Sequence, residues 1–140
     1  MGNNILGTNV IIQIGILVND IEKATEDWAD FLGVPIPKYF ITDSLDRANI
    51  TFRGKPSKGR CRQSFFEFGQ IKIELLEPDH HPSVWREALD ENGEGMHHIA
   101  FGVKDIRGKV KLLKEKGFQE LANGEWKKSE TKNYEGAYSY

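Results

Sequence analysis

Cysteine is almost absent from this sequence, and its scarcity excludes a fold held together by internal disulfides. Cys61 is the only cysteine among the 140 residues, so no disulfide can form within the chain. Disulfide frameworks are typical of small secreted domains, and the N-terminus also lacks a basic region followed by an apolar stretch. We therefore expect a cytoplasmic protein.

Long apolar runs and an excess of one charge are also missing. No stretch approaches the roughly 20 apolar residues that a membrane-spanning helix needs. The 19 basic residues are interleaved with 21 acidic ones, so no broad field would attract nucleic acid or an anionic membrane. A short basic stretch from Arg53 to Arg62 is interpreted as a solvated loop. The expected partner is a small molecule, with neither nucleic acid nor membrane.

The sequence does contain enough apolar material for a folded core. Hydrophobic residues make up 39% of the chain and aromatic residues 11%, which argues against disorder. A chain of this length is expected to form a single domain, here residues 1–140. Any repetition must therefore lie inside that domain.

One succession of strand, cap, helix and glycine occurs twice. A β-branched run from Val10 to Val18 precedes a helical pattern from Ile21 to Leu32, and a strand pattern from Met96 to Val103 precedes a helical pattern over 106–116. Residues in equivalent places are 85 positions apart. They are Gln13 and His98, Val18 and Val103, Asp20 and Asp105, and Ile21 and Ile106. Such a repeat predicts two related structural modules.

The intervening residues complete the first module. Strand patterns at 39–42, 63–68 and 71–76 follow the first helix, with Gly69-Gln70 as a candidate hairpin turn. Module one, residues 10–78, is therefore predicted to be βαβββ.

The second module follows a capped linker helix over 83–93. It spans 95–140, with 138–140 as its third strand, and lacks a fourth strand in this sequence. The predicted fold class is α+β, with the paired βαβββ modules forming a cup-shaped mixed sheet.

Strand alternation places three polar side chains on the open face of that sheet. Gln13 and His98 occupy equivalent positions on the first strand of each module, and Glu74 has the same facing on the last strand of module one. Gly15 and Ala100 follow two residues after the first pair, and we expect them to leave space for a ligand. Amide oxygen, carboxylate and imidazole are all ligands for Zn²⁺ and similar ions. The sequence therefore predicts a metal-capable site.

Each of these residues also has an ordinary structural interpretation. Gln13 could be a satisfied core amide, Glu74 an exposed sheet carboxylate and His98 a buried histidine. Their symmetry and shared facing favour a joint site. His97 is expected to face the helices and to be structural, and the histidine pair at 80–81 lies in a turn, so none of these is predicted to be a ligand.

The segments QIGILVNDIEKA, IKIELLEP and GEGMHHIAFGVKDI resemble the vicinal-oxygen-chelate superfamily. That superfamily includes glyoxalase I, methylmalonyl-CoA epimerase, extradiol dioxygenases and the bleomycin and fosfomycin resistance proteins, and the likeness covers Val10 to Lys116. It implies a divalent ion (Zn, Ni, Co, Mn or Mg) held by Gln13, Glu74 and His98. The fourth family ligand, a carboxylate, belongs to the missing strand, so weak binding or an empty site is expected. The resemblance also implies a homodimer.

The implied activity is that of a metal-dependent lyase or isomerase. Gln13 is similar to the first ligand of eukaryotic zinc glyoxalase I, which acts on a hemithioacetal, whereas IELLEP and the linker helix are similar to the epimerases, which act on a thioester. Both chemistries move a proton next to a metal-polarised carbonyl.

The general base is not identified by the sequence. Glu67 is a weak candidate and is interpreted more simply as an exposed carboxylate. A metal-free small-molecule-binding module of the resistance type is the main alternative. An extradiol dioxygenase is disfavoured because it requires two histidines and only His98 lies at a ligand position.

Overall fold

The computed structural model describes residues 4–127 and 136–140. The first part of the chain contains a strand, a helix, a set of short elements and a long hairpin. In order these are β1 (Ile11–Leu17), α1 (Ile21–Leu32), β2 (Phe40–Ile41), α2 (Leu45–Ala48), β3 (Thr51–Phe52), β4 (Lys55–Pro56), β5 (Cys61–Phe68) and β6 (Ile71–Pro78). The remaining elements are α3 (Val84–Asn92), β7 (Gly95–Phe101), α4 (Ile106–Glu115), β8 (Ala122–Trp126) and β9 (Gly136–Ser139).

The strands form two sheets. The larger has the order β2-β5-β6-β1-β7, with β1 and β6 parallel and the other neighbours antiparallel. The smaller has the order β4-β3-β8-β9. The predicted α+β class with mixed sheets is confirmed.

The polar excursion between β2 and β5 is more structured than its sequence indicates. The sequence indicated a solvated loop from Arg53 to Arg62, but the segment between β2 and β5 contains α2 and the β3–β4 hairpin, and β3 pairs with β8 through Thr51 and Asn123. These strands are two residues long, too short for hydrophobic alternation to reveal them. The excursion thus joins strands from the two halves of the chain.

Helix α1 begins and ends where its sequence predicts. The Asp20 side chain accepts a hydrogen bond from the backbone N–H of Lys23 at 3.0 Å, and Gly33 adopts the left-handed conformation with φ 66°. Both features satisfy backbone groups that a helix end would otherwise leave without partners. The helix packs on one face of the larger sheet around Ile21, Phe66 and Leu75.

The concave face of the same sheet is covered by α3 and the smaller sheet. A second hydrophobic cluster lies on this face and consists of buried residues from β1, β5, β6, α3 and β8. Aromatic residues of the C-terminal segment pack against it. Its members are Leu17, Cys61, Leu76, Val84, Trp85, Leu89 and Ala122, with Tyr138 and Tyr140 packed on them. One end of the cup is therefore filled by protein. None of the helices in the described ranges is long and apolar enough to cross a membrane.

Candidate functional site

Three neighbouring strands bring the predicted site residues together. Gly15 on β1 is opposite Glu74 on β6 and opposite His98 on β7. Gln13 lies two residues earlier on β1, so its side chain shares the facing of Gly15. The structure thus places Gln13, Glu74 and His98 side by side on the concave face.

Gly15 determines where the imidazole lies. A Cβ atom added at Gly15 would lie 2.1 Å from Cε1 of His98 and 2.5 Å from each ring nitrogen. The ring of His98 therefore lies directly over the glycine and reaches across β1 toward β6. Our expectation that Gly15 leaves space for a ligand is wrong in detail, because His98 itself fills that space.

Side-chain oxygens of Gln13 and Glu74 both lie close to one ring nitrogen of His98. Nε2 of His98 is 3.2 Å from Oε1 of Gln13 and 3.4 Å from Oε2 of Glu74. Glu74 is only 4% exposed. A buried carboxylate requires hydrogen bonds or a cation to balance its lost hydration, so this point on the sheet attracts positive charge.

Gln63 is a member of the site that we did not single out from the sequence. Its side-chain Nε2 donates a 2.7 Å hydrogen bond to Oε1 of Glu74. Alternation along β5 puts Gln63 on the concave face, and this was the available signal. The bond holds one carboxylate oxygen and leaves Oε2 directed toward His98.

His97 contacts the ring of His98, although alternation predicted that these neighbouring side chains face opposite sides of the strand. The pairing of β1 with β7 shifts at this place: Gly15 is opposite His98, whereas Ile16 is opposite Met96. His97 is therefore the extra residue of a β-bulge, which changes the direction of its side chain. Its Nδ1 lies 2.9 Å from Nδ1 of His98, and the two rings meet edge to face.

The surroundings of His97 favour its neutral form. Burial lowers the pKa of His97 to about 4, with the neighbouring His98 as a second cause, while a hydrogen bond with the backbone of Val84 acts in the opposite direction. The Tyr140 ring contacts both imidazoles, with centroids 5.6 Å from His97 and 4.9 Å from His98. Burial and the charge of Glu74 raise the pKa of Tyr140, so its hydroxyl is protonated at neutral pH.

Two of the three separations between the donor atoms fit a shared divalent ion. Two ligands that share an ion at about 2.1 Å, with angles of about 90–110°, lie roughly 3.0–3.4 Å apart. The separations at His98 Nε2, 3.2 and 3.4 Å, fall in that range. Within the described residues no group of three or more His, Cys, Asp or Glu side chains could hold a metal. The set that converges here includes an amide, Gln13, as its third donor.

Glu67, the residue offered as a base, lies away from this point. It pairs with Lys72 in the hairpin register, two residues beyond the Phe65–Glu74 pair. Its carboxylate is 68% exposed and lies 3.3 Å from Nζ of Lys72. The structure therefore favours the simpler interpretation of Glu67 as an exposed sheet carboxylate.

Comparison with known families agrees with this architecture. A family model described as the Glyoxalase/Bleomycin resistance protein/Dioxygenase superfamily matches residues 12–137. The chain belongs to this superfamily. A relative in Bacillus subtilis (strain 168), the uncharacterized protein YqjC, is 25% identical over 111 residues, which cover 79% of this chain and 69% of the relative.

Several solved structures have a similar fold. A Streptomyces coelicolor methylmalonyl-CoA epimerase in complex with 2-nitronate-propionyl-CoA is 27% identical, with 79% of this chain and 74% of the epimerase covered and a TM-score of 0.55. A hypothetical protein from Bacillus halodurans C-125 is 24% identical, with 93% and 92% covered and a TM-score of 0.58. A methylmalonyl-CoA epimerase from Mycobacterium tuberculosis is 20% identical, with 89% and 81% covered and a TM-score of 0.60. The last two likenesses show the fold alone.

Proposed function

We propose that this protein is a metal-dependent lyase or isomerase that moves a proton next to the carbonyl group of a small thioester or hemithioacetal. The observation that carries the proposal is the convergence of Gln13, Glu74 and His98 on one point of the concave face. Membership of the superfamily supports it, because divalent metals are common among its members.

These three side chains would hold the ion. A bound divalent ion would polarise the substrate carbonyl and stabilise the enolate or enediolate that forms when the adjacent proton leaves. Glu74 contributes the negative charge of the set, and Gln63 fixes the orientation of its carboxylate. The low exposure of Glu74 and His98, 6% and 10% for their side chains, keeps bulk water away from the reacting atoms.

We also assign Glu74 as the general base that removes the proton. Among the described residues it is the carboxylate that lies at the convergent point, since Glu67 is exposed and paired with Lys72. A base must lie within hydrogen-bond reach of the proton that it removes. A single carboxylate removes and returns the proton on the same face of the substrate. This suits hydrogen exchange with solvent or transfer of the proton between adjacent carbons.

Two substrate classes are proposed, each with its own support. The structural likeness to an epimerase in complex with 2-nitronate-propionyl-CoA, at 27% identity, supports an acyl-CoA thioester. Glutamine at the first ligand position resembles the zinc glyoxalases and supports a hemithioacetal. A thiol-linked carbonyl compound is common to both.

The test is proton exchange at the carbon next to the carbonyl. Purified protein with Zn²⁺, Ni²⁺ or Co²⁺ is incubated in D₂O with methylmalonyl-CoA, and separately with methylglyoxal and glutathione, and deuterium incorporation is followed by NMR. We expect Glu74→Gln to lose activity by at least about a hundredfold, the lower range for removal of a general base. Glu67→Gln, a matched change on the neighbouring strand, should retain it. Equal rates for the two variants would refute the role of Glu74.

A metal-free binding module of the resistance type is the second candidate. It is favoured by the absence, within the described residues, of three His, Cys, Asp or Glu side chains grouped to hold a metal. Elemental analysis of protein purified without chelator, beside the variant Gln13→Ala, Glu74→Ala, His98→Ala, separates the candidates. Stoichiometric metal lost in the variant supports the enzyme, and no metal in either supports the binding module.

Homodimerisation in the cytoplasm completes the proposal. β7 is the edge strand of the larger sheet, and its Met96 and Ile99 side chains are 74% and 47% exposed. An edge strand with no charged residue and no proline can pair with another strand. Sedimentation that shows only monomer at micromolar concentration would contradict the dimer.

A further inference from the structure

Lys72 lies beside the candidate site on the same face of the larger sheet. It precedes Glu74 on β6 by two residues, so the two side chains leave the same face. The Cα atoms of such a pair are about 6.6 Å apart, because a strand rises about 3.3 Å per residue. Across the parallel pair of β6 and β1, Lys72 is the register partner of Gln13. The ammonium group is therefore carried by a direct neighbour of two members of the site.

Four described residues are the nearest neighbours of Glu74 on this face, and of these only Lys72 is charged. The four are Lys72 and Leu76 along β6, Gly15 across on β1 and Phe65 across on β5. The side chains of the other three offer an anionic group neither a hydrogen bond nor an opposite charge. Of these four positions, a negatively charged part of a ligand bound at Glu74 therefore finds a counter-ion at Lys72 alone.

The shape of the cup directs a ligand toward Lys72. In the other direction along β6, Leu76 is 0% exposed and belongs to the hydrophobic cluster that contains Trp85 of α3. On the β5 side, the ring of Phe65 packs against that of Phe40, with centroids 6.0 Å apart. The side chain of Lys72 is 50% exposed, so solvent reaches the face at this end. The part of a substrate that extends beyond the three donors therefore lies toward Lys72.

The ion pair between Lys72 and Glu67 holds the ammonium group weakly. Nζ of Lys72 lies 3.3 Å from Oε1 of Glu67, and the Glu67 side chain is 68% exposed. Charge-assisted hydrogen bonds are shorter, about 2.7–2.9 Å, and ion pairs between exposed side chains contribute little to stability. Lysine also carries its charge on a flexible stem. The ammonium group can therefore leave Glu67 for an anion bound at the site at little cost.

We propose that Lys72 is a specificity-determining residue that binds a carboxylate group of the substrate. This inference rests on the proposed function, which places the reacting carbonyl group at Gln13, Glu74 and His98. The carboxylate can belong to the acyl group, as in methylmalonyl-CoA, or to the thiol, as in glutathione adducts. An anion beside the ammonium group also offsets its repulsion of a divalent ion at the site.

The experiment measures binding by titration calorimetry, with Zn²⁺ present, for compounds that differ in their carboxylate groups. Methylmalonyl-CoA is compared with isobutyryl-CoA, which has a methyl group in place of the carboxylate and keeps the same phosphates. S-lactoylglutathione is compared with S-lactoyl-N-acetylcysteamine, which lacks the glutathione carboxylates. The variants of the full chain are Lys72→Met, which removes the charge, and Lys72→Arg, which keeps it. Lys111→Met, at an exposed lysine of α4, is the control.

We expect Lys72→Met to raise the Kd of the carboxylate-bearing compound in at least one pair about tenfold, the lower end for a hydrogen bond to a charged group. The Kd of the matching compound without that carboxylate should change little, and Lys72→Arg and Lys111→Met should keep most of the wild-type affinity. The pair that responds identifies the source of the carboxylate. Equal losses for both members of each pair, no loss in either pair, or no measurable binding by the wild type would overturn the proposal. Absence of proton exchange together with the expected binding pattern would refute the proposed activity and leave the role of Lys72 standing.

Discussion

Replacing Gly15 by alanine tests the central geometric feature of the site. The new Cβ would lie 2.1 Å from Cε1 of His98, whereas ordinary van der Waals contact begins at 3.4 Å. The imidazole must therefore move by at least about 1.3 Å, the difference between these distances. The three atoms nearest the new Cβ all belong to His98, so the perturbation acts first on that donor.

Two opposing effects set the stability of Gly15→Ala. Alanine in a strand interior is favoured over glycine by about 0.5–1 kcal/mol because it restricts the unfolded chain more. Overpacking of a well-packed site typically costs about 1–3 kcal/mol. The second effect is larger, so we expect a modest net loss of up to about 2 kcal/mol in the free energy of unfolding. The loss of metal affinity should be at least about tenfold, because Nε2 of His98 leaves its position beside the other two donors.

The assay is a Zn²⁺ titration by calorimetry beside urea unfolding of the same variants. Gly102→Ala is the matched control, since its new Cβ would meet only Cδ1 of Ile12, at 3.1 Å, which is the end of a flexible side chain. We expect Gly102→Ala to bind as the wild type does. A folded Gly15→Ala with wild-type affinity would refute the placement of His98 over the glycine.

Three further predictions concern stability. Burial lowers the pKa of His97 from 6.5 to about 4, so the unfolded chain takes up the proton first as pH falls, and the free energy of unfolding decreases between about pH 6.5 and 4. Urea unfolding of the wild type should show a decrease of up to about 3 kcal/mol over this range. The decrease should be much smaller in His97→Asn. Gln63→Leu should lower the free energy of unfolding by about 1–3 kcal/mol in urea, because the buried carboxylate of Glu74 loses a 2.7 Å hydrogen bond. A smaller loss than in a surface Gln→Leu control would contradict a stabilising role of this hydrogen bond. The hydroxyl groups of Thr25 and Ser64 form a buried 2.8 Å hydrogen bond. Thr25→Val alone should lower the free energy of unfolding by about 1–3 kcal/mol, because it leaves the Ser64 hydroxyl without a partner, whereas Thr25→Val with Ser64→Ala should be nearly neutral. Additive losses in this double-mutant cycle would exclude the coupling.

Much of the architecture could be predicted from local sequence. Asp20 and Gly33 mark the ends of α1 because capping and a left-handed stop are local chemistry. The 85-residue repeat identified Gln13 and His98 as equivalent positions, and alternation gave Glu74 the same facing. These signals depend on residues close together in the chain or on the comparison of two copies.

The sequence by itself determined the ends of the main helices and the three side chains that lie side by side on the concave face, and its repeat predicts two modules. Only the tertiary structure decided how the site is completed. His97 turned toward His98 because the pairing of β7 with β1 contains a bulge, and strict alternation cannot anticipate a bulge that arises from the register of two strands. The bond from Gln63 to Glu74 and the position of the Tyr140 ring on both histidines likewise depend on contacts between strands distant in sequence. Hydrophobic periodicity reports which face a residue occupies, but the distance between two side chains on that face is set by the packing of the sheets.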